Sequence, residues 1–324
     1  PIRISVKEGT DMTSLAPIFE LTPGATISPA SGSVQNFTTP VRYTVTSEDK
    51  AWHRVYAITA REQKASNIPT TYHFEKVRIM QNVWQEFYEE QDSGNELTWA
   101  SGNKGFKWAM SEAATEDYPT TQIDNGKTGK CVKLETRLTG DLGNMVGMPI
   151  AAGNLFIGSF DMLNAITNPL SATRFGTPFY NKPLRLTGYY KYKAGEQFYE
   201  NGEYTSRKDI FNIYAIFYDG VKYDSAGKGT DVTLDGNLPN QNYEHSSMVA
   251  LALVSNPQET EGDEWKFFDI PFDYQRYGKK IDEARLAKGE YKIGIIFASS
   301  KDGATFEGAP GSTLLIDEVE LIYE

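Results

Sequence analysis

"GSTLLIDEVELIYE" occupies residues 311–324. From Leu315 the odd positions read Leu315, Asp317, Val319, Leu321 and Tyr323, while Glu318, Glu320 and Glu324 fall on even ones. Successive side chains of a strand point to opposite faces, so this alternation predicts a strand with one apolar face. It also sets a carboxylate, Asp317, in the row that faces a core. A buried unpaired carboxylate is costly, so Asp317 must be paired, bound to a metal, or not buried.

The segments upstream carry the same β character. "KCVKLETRL" (130–138) has Val132, Leu134 and Leu138 on one side and Lys133, Glu135 and Arg137 on the other. "LRLTGYYKYKA" (184–194) sets Leu184, Leu186, Tyr190 and Tyr192 against Arg185, Thr187, Tyr189, Lys191 and Lys193. "DIFNIYAIFYDG" (209–220) sets Phe211, Ile213, Ala215 and Phe217 against Asn212, Tyr214, Ile216 and Tyr218. "SMVALALV", "WKFFDIPFDY" and "YKIGIIFAS" add further strands, and "KKIDEARLAKGE" (279–290) is the one expected helical turn. Gly- and Asn-rich loops separate them, the longest at 224–246. Many strands with irregular loops and no βαβ rhythm predict a large sandwich or jelly roll.

Residues 1–62 read as a separate small β module. "IRISV", "PIFEL", "ATISP", "VRYTVT" and "HRVYAITA" are short β-rich runs with Gly, Pro, Ser and Asp between them. Val41, Tyr43 and Val45 form an inward set, and "SEDKAW" reads as a hairpin. This suits a minimal immunoglobulin-like sandwich. Residues 63–71 read as a linker, and 72–324 as the larger domain. The fold class is therefore all-β: a small sandwich followed by a jelly roll.

Composition narrows the partners. The net charge of the 324 residues is −11, with no basic cluster, which argues against nucleic acid and anionic membrane surfaces. The single cysteine, Cys131, rules out an internal disulfide and a cysteine zinc cluster. His53, His73 and His245 lack metal-site spacing. No GxSxG, Walker A or GxGxxG pattern occurs, so nucleophile-elbow and nucleotide readings lack support.

Two places suit sugar recognition. The stretch 82–109 holds Trp84, Trp99 and Trp108 beside Asn95 and Asn103, an aromatic and amide set resembling a glycan platform. The non-core faces of the strands at 130–138, 184–194 and 209–220 carry Arg137, Arg185, Tyr189 and Glu135, which would line a groove if those strands share a sheet. If the 224–246 loop fills that face, its binding site is lost. Candidate acids are Glu86, Glu89, Glu90, Asp92, Glu96 and Glu135, though no residue is singled out as catalytic. Packed aromatics and a solvated sheet face explain the same residues without any site.

The blocks "LTWASGNKGF", "PIAAGNLFIGSF", "SATRFGTPF", "LRLTGYYKYKAGE", "WKFFDIPFDY" and "IIFASSKDGATFEGAPGSTLLIDEVELIY" resemble the putative carbohydrate-metabolism domain family, over residues 72 to 324. "ATISPASG" and "VRYTVTSEDKAWHRVYAITA" resemble the immunoglobulin-like modules that precede such domains. The resemblance implies a jelly roll related to carbohydrate-binding modules. It implies a protein outside the cell, on the outer membrane or in the periplasm, lipid-anchored through a segment beyond these residues and working beside other surface glycan-uptake proteins. It supplies no catalytic residues.

The expectation is a glycan-binding protein of a polysaccharide-utilisation system, with Trp99, Trp108 and Tyr189 stacking on sugars and Asn103, Arg137 and Arg185 hydrogen-bonding them. The alternatives are a polysaccharide lyase using Arg137, Arg185 and Tyr189, a glycoside hydrolase acting on an acidic glycan, and a structural or adhesive surface protein. Jelly rolls of this kind often hold a structural Ca²⁺ between first and last strands, which nominates Glu75 and Asp317 as its ligands.

Overall fold

The structure, a computed structural model, describes residues 2–91 and 93–324. The chain divides into two compact units, Pro1–Ala65 and Ser66–Tyr323, with Glu324 grouped with the first.

The first unit holds a four-stranded sheet in the order Ile2–Lys7, His53–Gln63, Val41–Thr46, Thr26–Ser28. Its first pair is parallel and the others antiparallel. Tyr43 from the expected inward set is buried with Phe37 and Ile58, and Ile4, Met12, Leu15, Phe19, Ile27 and Val41 pack around them. The layer opposite this sheet is largely irregular chain, because "PIFEL" does not form a strand. Pro17 has no N–H to give to a ladder, and the Phe19 N–H is taken by the Ser31 hydroxyl at 2.8 Å. In the hairpin, Asp49 accepts from the Ser47 hydroxyl at 2.5 Å and the Ala51 N–H at 3.0 Å.

The second unit is built on two antiparallel sheets. One has six strands, in the order Lys266–Pro271, Pro183–Lys193, Thr313–Tyr323, Lys130–Glu135, Thr120–Asp124, with Thr71–Tyr72 also pairing along Thr313–Tyr323. The other has five: Asn154–Phe156, Tyr291–Ala298, Asn212–Asp219 and Met248–Leu253 in order, with Thr177–Pro178 also on Tyr291–Ala298. Their facing sides form the main core. Val132, Leu134, Leu186, Tyr190, Leu314 and Ile316 come from the first sheet, and Ile213, Ala215, Phe217, Ile293, Ile295 and Phe297 from the second. Apolar residues at every second position make each strand bury one side against the other sheet.

A third layer covers the other face of the five-stranded sheet. Tyr214, Ile216 and Tyr218 point away from the main core, yet are buried with Phe175, Leu234, Leu238 and Tyr243. Phe175 belongs to a small sheet, Gly158–Phe160, Thr173–Phe175 and Leu234–Asp235. Leu234, Leu238 and Tyr243 come from the 224–246 segment, so that loop does lie on the sheet. The strands expected to share one polar face are divided: 130–135 and 183–193 lie in the six-stranded sheet, 212–219 in the five-stranded one.

The closing strand resolves the question of Asp317. Thr187 pairs with Glu320, but Tyr189 pairs with Asp317, so one extra residue sits on the closing strand. Glu318 takes a left-handed conformation, φ 48°. Such a β-bulge inverts the parity of the side chains beyond it. Before the bulge the core residues are even, Leu314 and Ile316; after it they are odd, Val319 and Leu321. Asp317 therefore shares the outer face with Leu315, and its burial comes from the turn at 126–130 lying over it. Leu138 also departs from expectation. The strand breaks after Glu135, and Arg137–Leu138 pairs with Ile150–Ala151, leaving Leu138 exposed.

Candidate functional site

Trp99 presents no face to a ligand. It is 1% exposed and lies 5.0 Å from Tyr72, 5.7 Å from Phe74 and 5.9 Å from Phe297, ring to ring, inside the main core. Asn103 is fully buried, donating to the Thr120 carbonyl at 2.7 Å and accepting from the Thr120 N–H at 3.1 Å. It pins the start of a short helix, Asn103–Ala109, to the adjacent strand. Both residues are structural; large aromatics and paired amides bury when the chain can enclose them. Trp108, on the same helix, is 38% exposed.

The three remaining sugar-binding candidates do not converge. Arg137 lies 3.1 Å from Glu135 and 3.8 Å from Asp117. Glu135 pairs across the sheet with Thr313, and Thr313 with Lys193. From Lys193 to Arg185 is eight residues of strand, roughly 26 Å at about 3.3 Å per residue. One uronate cannot meet both arginines. Arg185 is instead bound to Asp269 at 2.6 Å. Tyr189 lies on the outer face of the six-stranded sheet, 5.2 Å from Phe267, with the Lys127 ammonium 4.8 Å from its ring.

Four of the candidate acids, Glu89, Glu90, Glu96 and Glu135, are likewise occupied. Glu89 is buried and accepts from the His73 and Phe74 N–H groups at 2.9 and 2.7 Å. Burial raises its pKa above the ordinary carboxylate value, as it does for Glu86. Glu90 pairs with Lys76, and Glu96 with Arg78, which lowers the Glu96 pKa. Glu135 sits 3.0 Å from Lys133. Asp92 lies outside the described residues.

Glu75 and Asp317 hold one turn from two sides. Asp317 accepts from the Thr128 N–H at 3.0 Å and the Glu318 N–H at 2.8 Å, and Glu75 from the Lys130 N–H at 2.8 Å. Burial pushes the Asp317 carboxyl up to about 6, against the pull of those N–H groups. The two carboxylates thus face N–H donors, the opposite of the six or more oxygens that calcium takes. Among the described residues no group of three or more His, Cys, Asp and Glu side chains is placed to hold a metal. The first and last strands of the domain are nonetheless neighbours, Tyr72 opposite Val319.

A concave site lies elsewhere, on the part of the five-stranded sheet that the 224–246 segment leaves open. Here is a cavity of about 170 Å³. Asn212, Tyr214, Phe156 and Ile296 form its floor, and Phe160 and Phe175 one wall. Phe106 and Trp108 enter from Asn103–Ala109, Val146 and Met148 from the turn after helix Gly140–Met145, and Met162 and Ile166 from helix Met162–Thr167. Lys301 and Phe306 follow the strand Tyr291–Ala298. The rings meet edge to face: Phe156 to Phe175 at 5.4 Å, Phe175 to Tyr214 at 6.3 Å.

The polar groups of this cavity are few. The Asn212 amide donates to the Tyr243 hydroxyl at 2.9 Å. Its carbonyl oxygen and the Tyr214 hydroxyl have no hydrogen-bond partner among the described residues. Burial raises the Tyr214 hydroxyl well above its ordinary pKa, so it remains protonated. Lys301 is exposed and forms no ion pair among the described residues. No described lining residue is Asp, Glu, His or Arg. Asn212 and Tyr214 were legible as one face of a strand; that this face met a cavity was not, because the walls come from five distant segments.

The chain is similar to known proteins throughout its length. Residues 73–322 match the family described as putative carbohydrate metabolism domain, and residues 1–60 match the family described as SGBP, N-terminal. A solved structure of a putative glycoside hydrolase from Bacteroides vulgatus ATCC 8482 is 50% identical, with TM-score 0.74, covering 80% of this chain and 100% of that one. Another, from Bacteroides thetaiotaomicron VPI-5482, is 47% identical with TM-score 0.71, covering 99% of this chain and 90% of that one. No curated protein matches. The chain belongs to the putative carbohydrate metabolism domain family, carried here behind an SGBP N-terminal module.

Proposed function

We propose that this is a glycan-binding protein without hydrolytic activity, and that the cavity on the five-stranded sheet is its binding site. The observation that carries this reading is the pairing of Asn212 and Tyr214 on a floor walled by aromatic rings. Sugar rings stack their C–H faces on aromatics, while a few fixed polar groups read the hydroxyls. The Tyr214 hydroxyl would donate and the Asn212 carbonyl accept, each regaining a partner on binding.

The neighbours named as glycoside hydrolases favour a second reading, hydrolysis. That chemistry uses two carboxylates, about 5–10 Å apart. The described lining residues offer none. A lyase would need a base, and a tyrosine held protonated by burial serves poorly. The SGBP match supports a place among surface glycan-binding proteins; with that reading we propose a position outside the cell, lipid-anchored and beside other glycan-uptake components.

Glycan arrays followed by calorimetry test the reading. A bound glycan recovered intact, with affinity lost in Tyr214→Phe, supports it. Appearance of a new reducing end or an unsaturated product would establish an enzyme instead.

A further inference from the structure

The cavity and its mouth differ in chemistry. Its floor bears the two unpartnered polar groups, while its walls are mainly aliphatic and aromatic. The volume of about 170 Å³ falls below the roughly 300–1,000 Å³ of pockets for drug-sized ligands. It suits one sugar ring, so the rest of any ligand must emerge at the mouth.

Lys301 is the one charged residue among the described lining residues, and the helical side of the mouth is apolar. Two short helices border it, Gly140–Met145 and Met162–Thr167, and the helix Asn103–Ala109 packs against both. Val146 and Ile166 line the cavity; Met145, next to Val146 in the chain, is 80% exposed, and Leu163, one helical turn before Ile166, is 83% exposed. Leu142, one turn before Met145 in its helix, is exposed as well. Scattered exposed apolar residues are ordinary; a group continuous with a cavity marks a binding surface. A second sugar leaving the mouth would set hydroxyls, which prefer water, against methionine and leucine.

We propose that the site takes amphipathic glycoconjugates, with one sugar on Asn212 and Tyr214 and an alkyl, aryl or acyl group lying across Met145, Val146, Leu163 and Ile166. This rests on the glycan-binding reading of the same cavity. Apolar burial is additive along a chain, so burying only about two methylenes of an octyl group gives about tenfold tighter binding.

The test is calorimetry with matched methyl and octyl glycosides of glucose, galactose, N-acetylglucosamine and fucose, below micelle concentrations. An octyl tetraethylene glycol ether serves as a sugar-free control. The octyl member of a recognised pair should bind about tenfold tighter or more. The gain should vanish in the double variant Met145→Ser, Leu163→Ser while methyl glycoside affinity stays unchanged. Equal affinity within a recognised pair, or an octyl gain that survives in the variant, overturns this inference and leaves the glycan reading standing. Octyl ether binding as tight as the glycosides overturns the glycan reading itself, and this inference with it.

Discussion

The Asn212 side chain donates to the Tyr243 hydroxyl at 2.9 Å, tying the floor of the cavity to the segment that closes over the rest of the sheet. Tyr243 is buried, with its ring 5.2 Å from that of Tyr214. One contact therefore fixes both the rotamer of Asn212 and the extent of the opening. Replacing Tyr243 with Phe leaves a buried N–H unsatisfied, which costs about 1–3 kcal/mol. We expect a lower Tm and a severalfold weaker glycan affinity. A variant that binds as wild type would show that Asn212 needs no anchor.

The two tryptophans separate packing from binding. Trp99→Ala empties a core site ringed by Tyr72, Phe74 and Phe297 and should cost about 3–5 kcal/mol of stability. The remaining folded protein should bind glycan normally. Trp108→Ala removes a cavity wall that is already partly solvated, so it should weaken affinity with little change in Tm. Denaturant titration beside calorimetry distinguishes them, and reversed roles would contradict the placement of the cavity.

Much of this fold can be read along single strands, and less of it across them. Val132 and Leu134, or Ile213, Ala215 and Phe217, announce their core face by alternation alone. The bulge at Glu318 does not announce itself. A glutamate at φ 48° has no signature residue such as glycine, so the parity of "LLIDEVELIYE" reads unbroken and Asp317 falls on the wrong side. The third layer is hidden for a different reason: Leu234, Leu238 and Tyr243 are isolated among Gly, Asn and Asp, with only Leu234–Asp235 as strand between them. The candidate site was legible only in part. Trp108 lies in the cavity wall, while Trp99 and Asn103, close by in sequence, went inside because sequence proximity says nothing of which side of a helix or strand meets solvent.

Asp317 should leave a mark on the pH dependence of stability. Its folded-state pKa of about 6 lies above its ordinary value of 3.8, so between these values the folded protein holds the proton more tightly than the unfolded chain. Stability is then greatest from this group below about pH 4, falls as pH rises toward 6, and is level beyond. Asp317→Asn removes that titration. The fall in Tm from pH 4 to 7 should be smaller in the variant than in wild type, with glycan affinity unchanged at neutral pH. Parallel Tm profiles would contradict the buried carboxylate; a loss of affinity would move Asp317 into the binding site.

The most direct measurement compares the cavity with the outer face of the six-stranded sheet. Wild type, the double variant Asn212→Ala, Tyr214→Phe, and the double variant Arg185→Ala, Tyr189→Ala are titrated with the tightest glycan from an array, and the glycan is recovered for product analysis. Two lost hydrogen bonds at ~0.5–1.5 kcal/mol each predict about fivefold weaker binding or more in the cavity variant. The sheet-face variant should match wild type, and the glycan should return intact. Loss confined to the sheet-face variant, or a cleaved glycan, would contradict the account.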